Sequence, residues 1–186
     1  NPTQTAVINQ PMPPSGQAGQ RLAIVPDDEA IPQESTFTDN YEYLAALERE
    51  ALLMLILSAV RSGKTDGLEN DGAGVRLCAG LGLTPQNITP EHVETELARI
   101  RSINRSRQNK TLISGVRLFF PMFCRENHLD DFDEKILLLL FMHATSETFR
   151  KAFCPCGLND DNRGIIIRVI LFILSMDYGE QLEKRR

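Results

Sequence analysis

Residues 129–153 read LDDFDEKILLLLFMHATSETFRKAF, and the fold class turns on this stretch. Four acids, Asp130, Asp131, Asp133 and Glu134, crowd its start, where the open amides and positive end of a helix favour negative charge. Phe132, Ile136, Leu139, Leu140 and His143 then recur at helical steps, while Leu137, Leu138 and Phe141 fill much of the remaining circumference. A helix that is apolar on nearly every side must be covered on nearly every side. The stretch therefore predicts an all-α domain, a multi-helix orthogonal bundle around a buried central helix, with this segment at its centre.

Working towards the amino terminus, residues 112–127 (LISGVRLFFPMFCREN) predict a helix with Val116, Phe119, Phe120 and Phe123 inward, kinked or split at Pro121. Before it, Thr89-Pro90-Glu91 supplies an N-cap, a first-position proline and a first-turn acid, and Val93, Leu97, Ile100 and Ile103 follow at helical spacing. A longer helix begins at Asp39, with Glu42 in capping-box spacing, and is expected to stop at Gly63. Between these helices, residues 62–74 (SGKTDGLENDGAG) read as a mobile loop and residues 74–83 as a short, undecided element. Residues 1–38 are expected to form a disordered Pro/Gln-rich arm, because six of the chain's ten prolines fall there and few apolar residues offset the entropy of ordering it. Residues 39–186 are then the helical domain.

Towards the carboxyl terminus, residues 154–164 are turn-rich, and residues 165–174 (IIIRVILFIL) have a strand's composition. They are read as helix because no partner strand is evident. Residues 178–186 are polar helix formers that stop without a cap, as though the chain continued.

The chain has 186 residues, 42% of them hydrophobic, which suffices for one domain with a real core. Its net charge of -5 gives no global electrostatic footprint for nucleic acid, so such a role needs a local patch. The apolar runs at 51–57, 136–142 and 169–174 fall well short of the roughly 18–20 residues that span a bilayer. No signal-peptide pattern opens the sequence, and four sparse cysteines do not read as a disulfide framework, so a reduced, cytoplasmic setting is expected.

Three groups carry candidate chemistry. Arg99, Arg101, Arg105, Arg107 and Lys110 form the best basic stretch, able as a helix face to meet phosphates or an acidic partner; the alternative is a solvated face. Gly63-Lys64-Thr65 ends like a phosphate-binding loop, but the required glycine five residues before Gly63 is Ser58, and a helix rather than a strand precedes it. Cys124 and His128, one helical turn apart, could join Cys154 and Cys156 around zinc, although one residue between the paired cysteines is tighter than usual. No catalytic grouping is visible, since His92, His128 and His143 are scattered and the acids sit at helix starts.

In order and spacing, residues 39–60 (DNYEYLAALEREALLMLILSAV), 120–145 and 169–186 (VILFILSMDYGEQLEKRR) resemble the amino-terminal region of a group of large bacterial AAA-type ATPases. That family continues from its third stretch into a winged-helix-like part and then the ATPase module. The resemblance implies a non-catalytic domain that docks a protein partner, a substrate or its own ATPase module, with the ATP and magnesium site beyond Arg186. The Gly63-Lys64-Thr65 and Cys154-Pro155-Cys156 loops depart from the family's pattern. Rival readings are a nucleic-acid-binding helical domain using residues 99–110 and a nucleotide-binding enzyme using Gly63, Lys64 and Thr65.

Overall fold

In the computed structural model of the chain, all ten residues from 51 to 60 are buried although they form one unbroken helical line. A helix apolar around its whole circumference belongs inside a protein. These residues are the carboxyl half of α1, Asn40–Arg61, about 33 Å long at 1.5 Å per residue. Asp39 caps its start, accepting from the Glu42 amide at 2.9 Å. The structure describes residues 35–158 together with Ile170, Ile173 and Leu174, within a unit spanning 33–186. Among the described residues the secondary structure is helical throughout and contains no strand, so the all-α class holds.

The partner of α1 is α4, Pro90–Ile113, which runs antiparallel to it. The cross-links show this directly: Arg61 meets Glu94 at 2.9 Å, Glu50 meets Arg101 at 2.8 Å, and Phe37 donates its amide to the Thr111 hydroxyl at 2.8 Å. Rising numbers on one helix pair with falling numbers on the other. As the sequence predicts, Thr89 caps α4, accepting from the His92 amide at 3.3 Å, and Pro90 opens it.

Residues 62–74, expected to be a mobile loop, and the undecided stretch that follows hold two short helices, α2, Asp66–Asn70, and α3, Gly72–Gly80. They pack so closely that a Cβ on Gly74 would lie 2.0 Å from the Gly67 carbonyl oxygen. Glycine here is therefore a packing requirement and not a sign of mobility.

The stretch at 129–153 forms two helices, α6, Asp131–Thr145, and α7, Glu147–Ala152. Ser146 ends one and starts the other, its hydroxyl accepting from the Phe149 amide at 2.9 Å and donating to Glu48. Asp130 caps α6 as read from the sequence. The acids of its first turn must stay near water, and Leu140 remains exposed, so α6 and α7 cover α1 while α1 holds the centre. Ile170, Ile173 and Leu174 are helical and buried, in line with the helix reading of 165–174; the rest of that run, 178–186 and most of the expected arm lie outside the described residues. Phe37, assigned to the arm by sequence, is fully buried.

The remaining helix, α5, Phe119–Glu126, is shorter than the sequence predicts. Lys110 to Gly115 closes α4, and α5 starts afresh after Leu118. Pro121 sits at its third position, where an amide has no intrahelical partner to lose, so no kink results.

Candidate nucleic-acid interface

A cleft of about 790 Å³ opens where the amino half of α1, the carboxyl half of α4, α5 and the start of α6 converge. Its lining includes Arg101, Arg105 and Arg125 from α4 and α5 and Asp130, Asp131, Glu134 and Lys135 from the start of α6. On the floor, Glu50 holds the Arg101 Nε at 2.8 Å, and Asn104 donates to the Ala46 carbonyl at 3.2 Å. Burial raises the Glu134 pKa, with Asp131 adding to the shift and Arg105 and Lys135 opposing it. The cleft thus mixes cations and acids, with Arg105 and Lys135 close enough to Glu134 to act on its charge.

The five basic residues read from the sequence do not share one face. At about 100° per residue, Arg99 and Lys110 fall within about 20° of each other and Arg101 and Arg105 within about 40°, on opposite flanks of the buried stripe. That stripe includes Ile100, Ile103, Asn104, Arg107 and Thr111. Arg107 lies in its middle, with its side chain only 8% exposed. It is bound to Glu42 and to the Ser35 and Thr36 carbonyls, and its guanidinium sits 4.1 Å over the Phe37 ring. This arginine closes the fold. Arg99 pairs with Glu96 at 2.7 Å and Arg101 with Glu50; Arg99, Arg105 and Lys110 are the exposed members of the set.

The signal that the narrower reading missed is the absence of acids. Residues 97–125 contain seven Lys and Arg residues and none of the chain's 25 Asp and Glu. Beyond α4 this segment adds Arg117 and Arg125, both exposed. It also carries Phe119 and Phe123, expected to point inward but 68% and 51% exposed. On α5 the buried residues are Pro121 and Cys124, so Phe119 and Phe123, one turn apart, occupy the opposite side. Asn40 fixes this arrangement, donating to the Arg117 carbonyl at 2.9 Å and accepting from the Phe119 amide at 2.8 Å. Its neighbour Tyr41 is 84% exposed.

The Gly63-Lys64-Thr65 segment is a helix terminus. Gly63, at φ 69°, donates to Val60, and Lys64 donates to Ala59 at 2.9 Å, the paired bonds of a Schellman end. The amides a phosphate would need are therefore engaged, and the Lys64 ammonium reaches the Gly157 carbonyl at 3.3 Å. Thr65 precedes α2 and accepts from the Leu68 and Glu69 amides.

The four proposed zinc ligands are not brought together. Cys124 is buried near Glu134, whereas Cys156 is buried near Cys78 of α3. Burial pushes the Cys124 thiol up to about 11 and the Cys156 thiol up to about 12, against the deprotonation that metal binding requires. Cys154 is exposed, and His128 ends α5 with a positive φ. Among the described residues no group of three or more His, Cys, Asp and Glu is placed to hold a metal ion. His143 is half-buried and packs edge-on against Phe153 at 5.5 Å. No described helix is long and apolar enough to cross a membrane.

A family model described as "Winged helix domain, variant" matches residues 26–186. No curated protein and no solved structure matches the chain. The family match spans all three stretches on which the resemblance to bacterial AAA-type ATPases rested, and it overturns that resemblance and the ATP-binding expectation that came with it. Capped helices in a given order recur across unrelated helical domains, so order and spacing without a catalytic motif discriminate poorly between them.

Proposed function

Because the chain belongs to the variant winged helix domain family, we propose that it is a regulatory nucleic-acid-binding module whose contact surface lies within residues 97–125. The observation that carries this reading is the acid-free run of seven cations within a chain of net charge -5. Arg99, Arg105, Lys110, Arg117 and Arg125 are its exposed members; of these, Arg105, Arg117 and Arg125, away from the α4 flank that Arg99 and Lys110 share, form the proposed contact surface. They supply phosphate contacts, which release counterions and make affinity fall with salt. The acids at the start of α6 line the same cleft as Arg105 and Arg125 and bound the surface there. The proposed role is binding, with no reaction step.

The test is fluorescence anisotropy of labelled oligonucleotides with the 186-residue chain across a salt series. Affinity is expected to fall linearly on logarithmic axes, and Arg105→Ala and Arg117→Ala are each expected to reduce the slope by about one unit. Arg99→Ala, on the other flank of α4, should leave the slope unchanged. Absence of binding at low salt, or a slope that none of the α4–α5 changes alters, would count against the reading.

A further inference from the structure

Phe119 and Phe123 pose a specific problem, because a short helix between two well-formed neighbours usually turns its aromatic rings inward. Here α5 buries Pro121 and Cys124 and holds both rings to solvent, and Asn40 fixes the turn that precedes it with two side-chain hydrogen bonds. The exposure is therefore built into the fold. Arg117 stands two residues before the first ring and Arg125 two residues after the second. One acid, Glu126, follows at the end of the helix.

A double helix has little use for such rings, since its bases are already stacked on one another and its outer surface is phosphate. An unpaired strand presents a π-face on every base, and aromatic stacking on it is tolerant of sequence. The spacing points the same way. Phe119 and Phe123 are separated by about 6 Å along the helix axis at 1.5 Å per residue. That is nearly twice the rise of about 3.4 Å per nucleotide in a duplex strand, so the two rings match bases that have come apart.

We propose that the exposed rings of Phe119 and Phe123, flanked by Arg117 and Arg125, form a stacking platform for unpaired bases, making single-stranded nucleic acid the preferred ligand of this surface. The inference rests on the nucleic-acid reading above and specifies its substrate class. Arg117 and Arg125 hold the backbone by charge, and the rings take successive bases. Tyr41, next to Asn40 in the chain, is a further exposed ring at 84%.

The experiment compares a labelled oligothymidine with a duplex of equal length, using the full chain and its Phe119→Ala, Phe123→Ala and double variants. Circular dichroism confirms folding, which the exposure of both rings should preserve. The oligothymidine is expected to bind more tightly than the duplex, and each ring removed is expected to weaken it by about 5-fold or more while duplex binding stays unchanged. Duplex binding equal to or tighter than the oligothymidine, or a double variant that binds the oligothymidine like the native chain, would overturn the platform and leave the broader reading standing. Binding of an acidic aromatic peptide with no binding of either nucleic acid would overturn both.

Discussion

The antiparallel pair of α1 and α4 closes at one end and opens at the other. At the closed end, residues 51–60 of α1 are buried against Val93, Leu97 and Ile100, and the cations there have acidic partners, Arg61 with Glu94 and Arg49 with Glu96. At the open end, the same two helices border the cleft, and exposed Tyr41, Ile113, Phe119 and Phe123 stand beside an acid-free run of cations. Apolar burial without unpaired charge is how a chain gains stability. Exposed rings beside cations do not themselves stabilise a fold, and they stand on the surface proposed to bind a ligand.

The largest effect should follow from breaking the closed end. Leu53 is fully buried in the middle of α1, and Leu53→Ala removes its side chain where neighbours cannot collapse freely, at a cost of about 2–5 kcal/mol. Ile113→Ala at the open end should change stability by less than about 0.5 kcal/mol, as exposed substitutions do. Urea denaturation followed by circular dichroism measures both. Comparable losses at the two sites would erase the contrast between the ends.

A finer contrast lies within α4, between Arg105 and Arg107. Removing Arg107 would leave Glu42 and two carbonyls without their cation and strip the Phe37 ring of its stacked guanidinium, at a cost of roughly 3 kcal/mol. Arg105→Ala should be near neutral for folding and should instead weaken nucleic-acid binding. A pH series adds a second readout. The Thr38 backbone amide, aided by Arg107, lowers the Glu42 pKa from 4.5, so Glu42 stabilises the fold above that value and the contribution is lost as pH falls through its folded pKa. Arg107→Ala should therefore flatten part of the acid limb of the stability curve, and Arg105→Ala should not.

The legible parts of this fold were those decided locally. The caps at Asp39, Thr89 and Asp130 stand where their sequence signatures place them, and α4 buries its expected Val93, Leu97, Ile100 and Ile103, whereas on α1 Tyr41, expected inward, is exposed and Glu50, expected to face water, is buried. What sequence could not disclose depends on distant contacts. Arg107 looks like any helical arginine until Phe37 and Glu42, the latter 65 residues away, are brought to it. Phe119 and Phe123 read as core because aromatic residues at helical spacing usually are; their outward turn is set by Asn40, 79 residues before Phe119. Gly67 and Gly74 suggest a flexible loop, yet the missing side chain of Gly74 lets α2 and α3 touch and that of Gly67 admits the backbone of Pro155. The basic surface was half legible, because counting arginines found α4 but only counting absent acids extends it through α5.

The smallest expected effect concerns His128, at the boundary between the cleft and the platform. It ends α5 in the left-handed region, φ 54°, donating its amide to Arg125 at 3.2 Å while Leu129 donates to Cys124 at 3.0 Å. This is the same terminus that Gly63 makes for α1, with a side chain where glycine fits best. A left-handed residue other than glycine costs roughly 1 kcal/mol, so His128→Gly should raise the unfolding free energy measured in urea by about 0.5–1 kcal/mol, less whatever chain entropy the glycine adds to the unfolded state. Such a gain would mean that the fold tolerates strain here for a reason other than stability. Oligothymidine binding by the same variant then decides what that reason is: weakened binding assigns the imidazole to the open surface, and unchanged binding returns His128 to the fold.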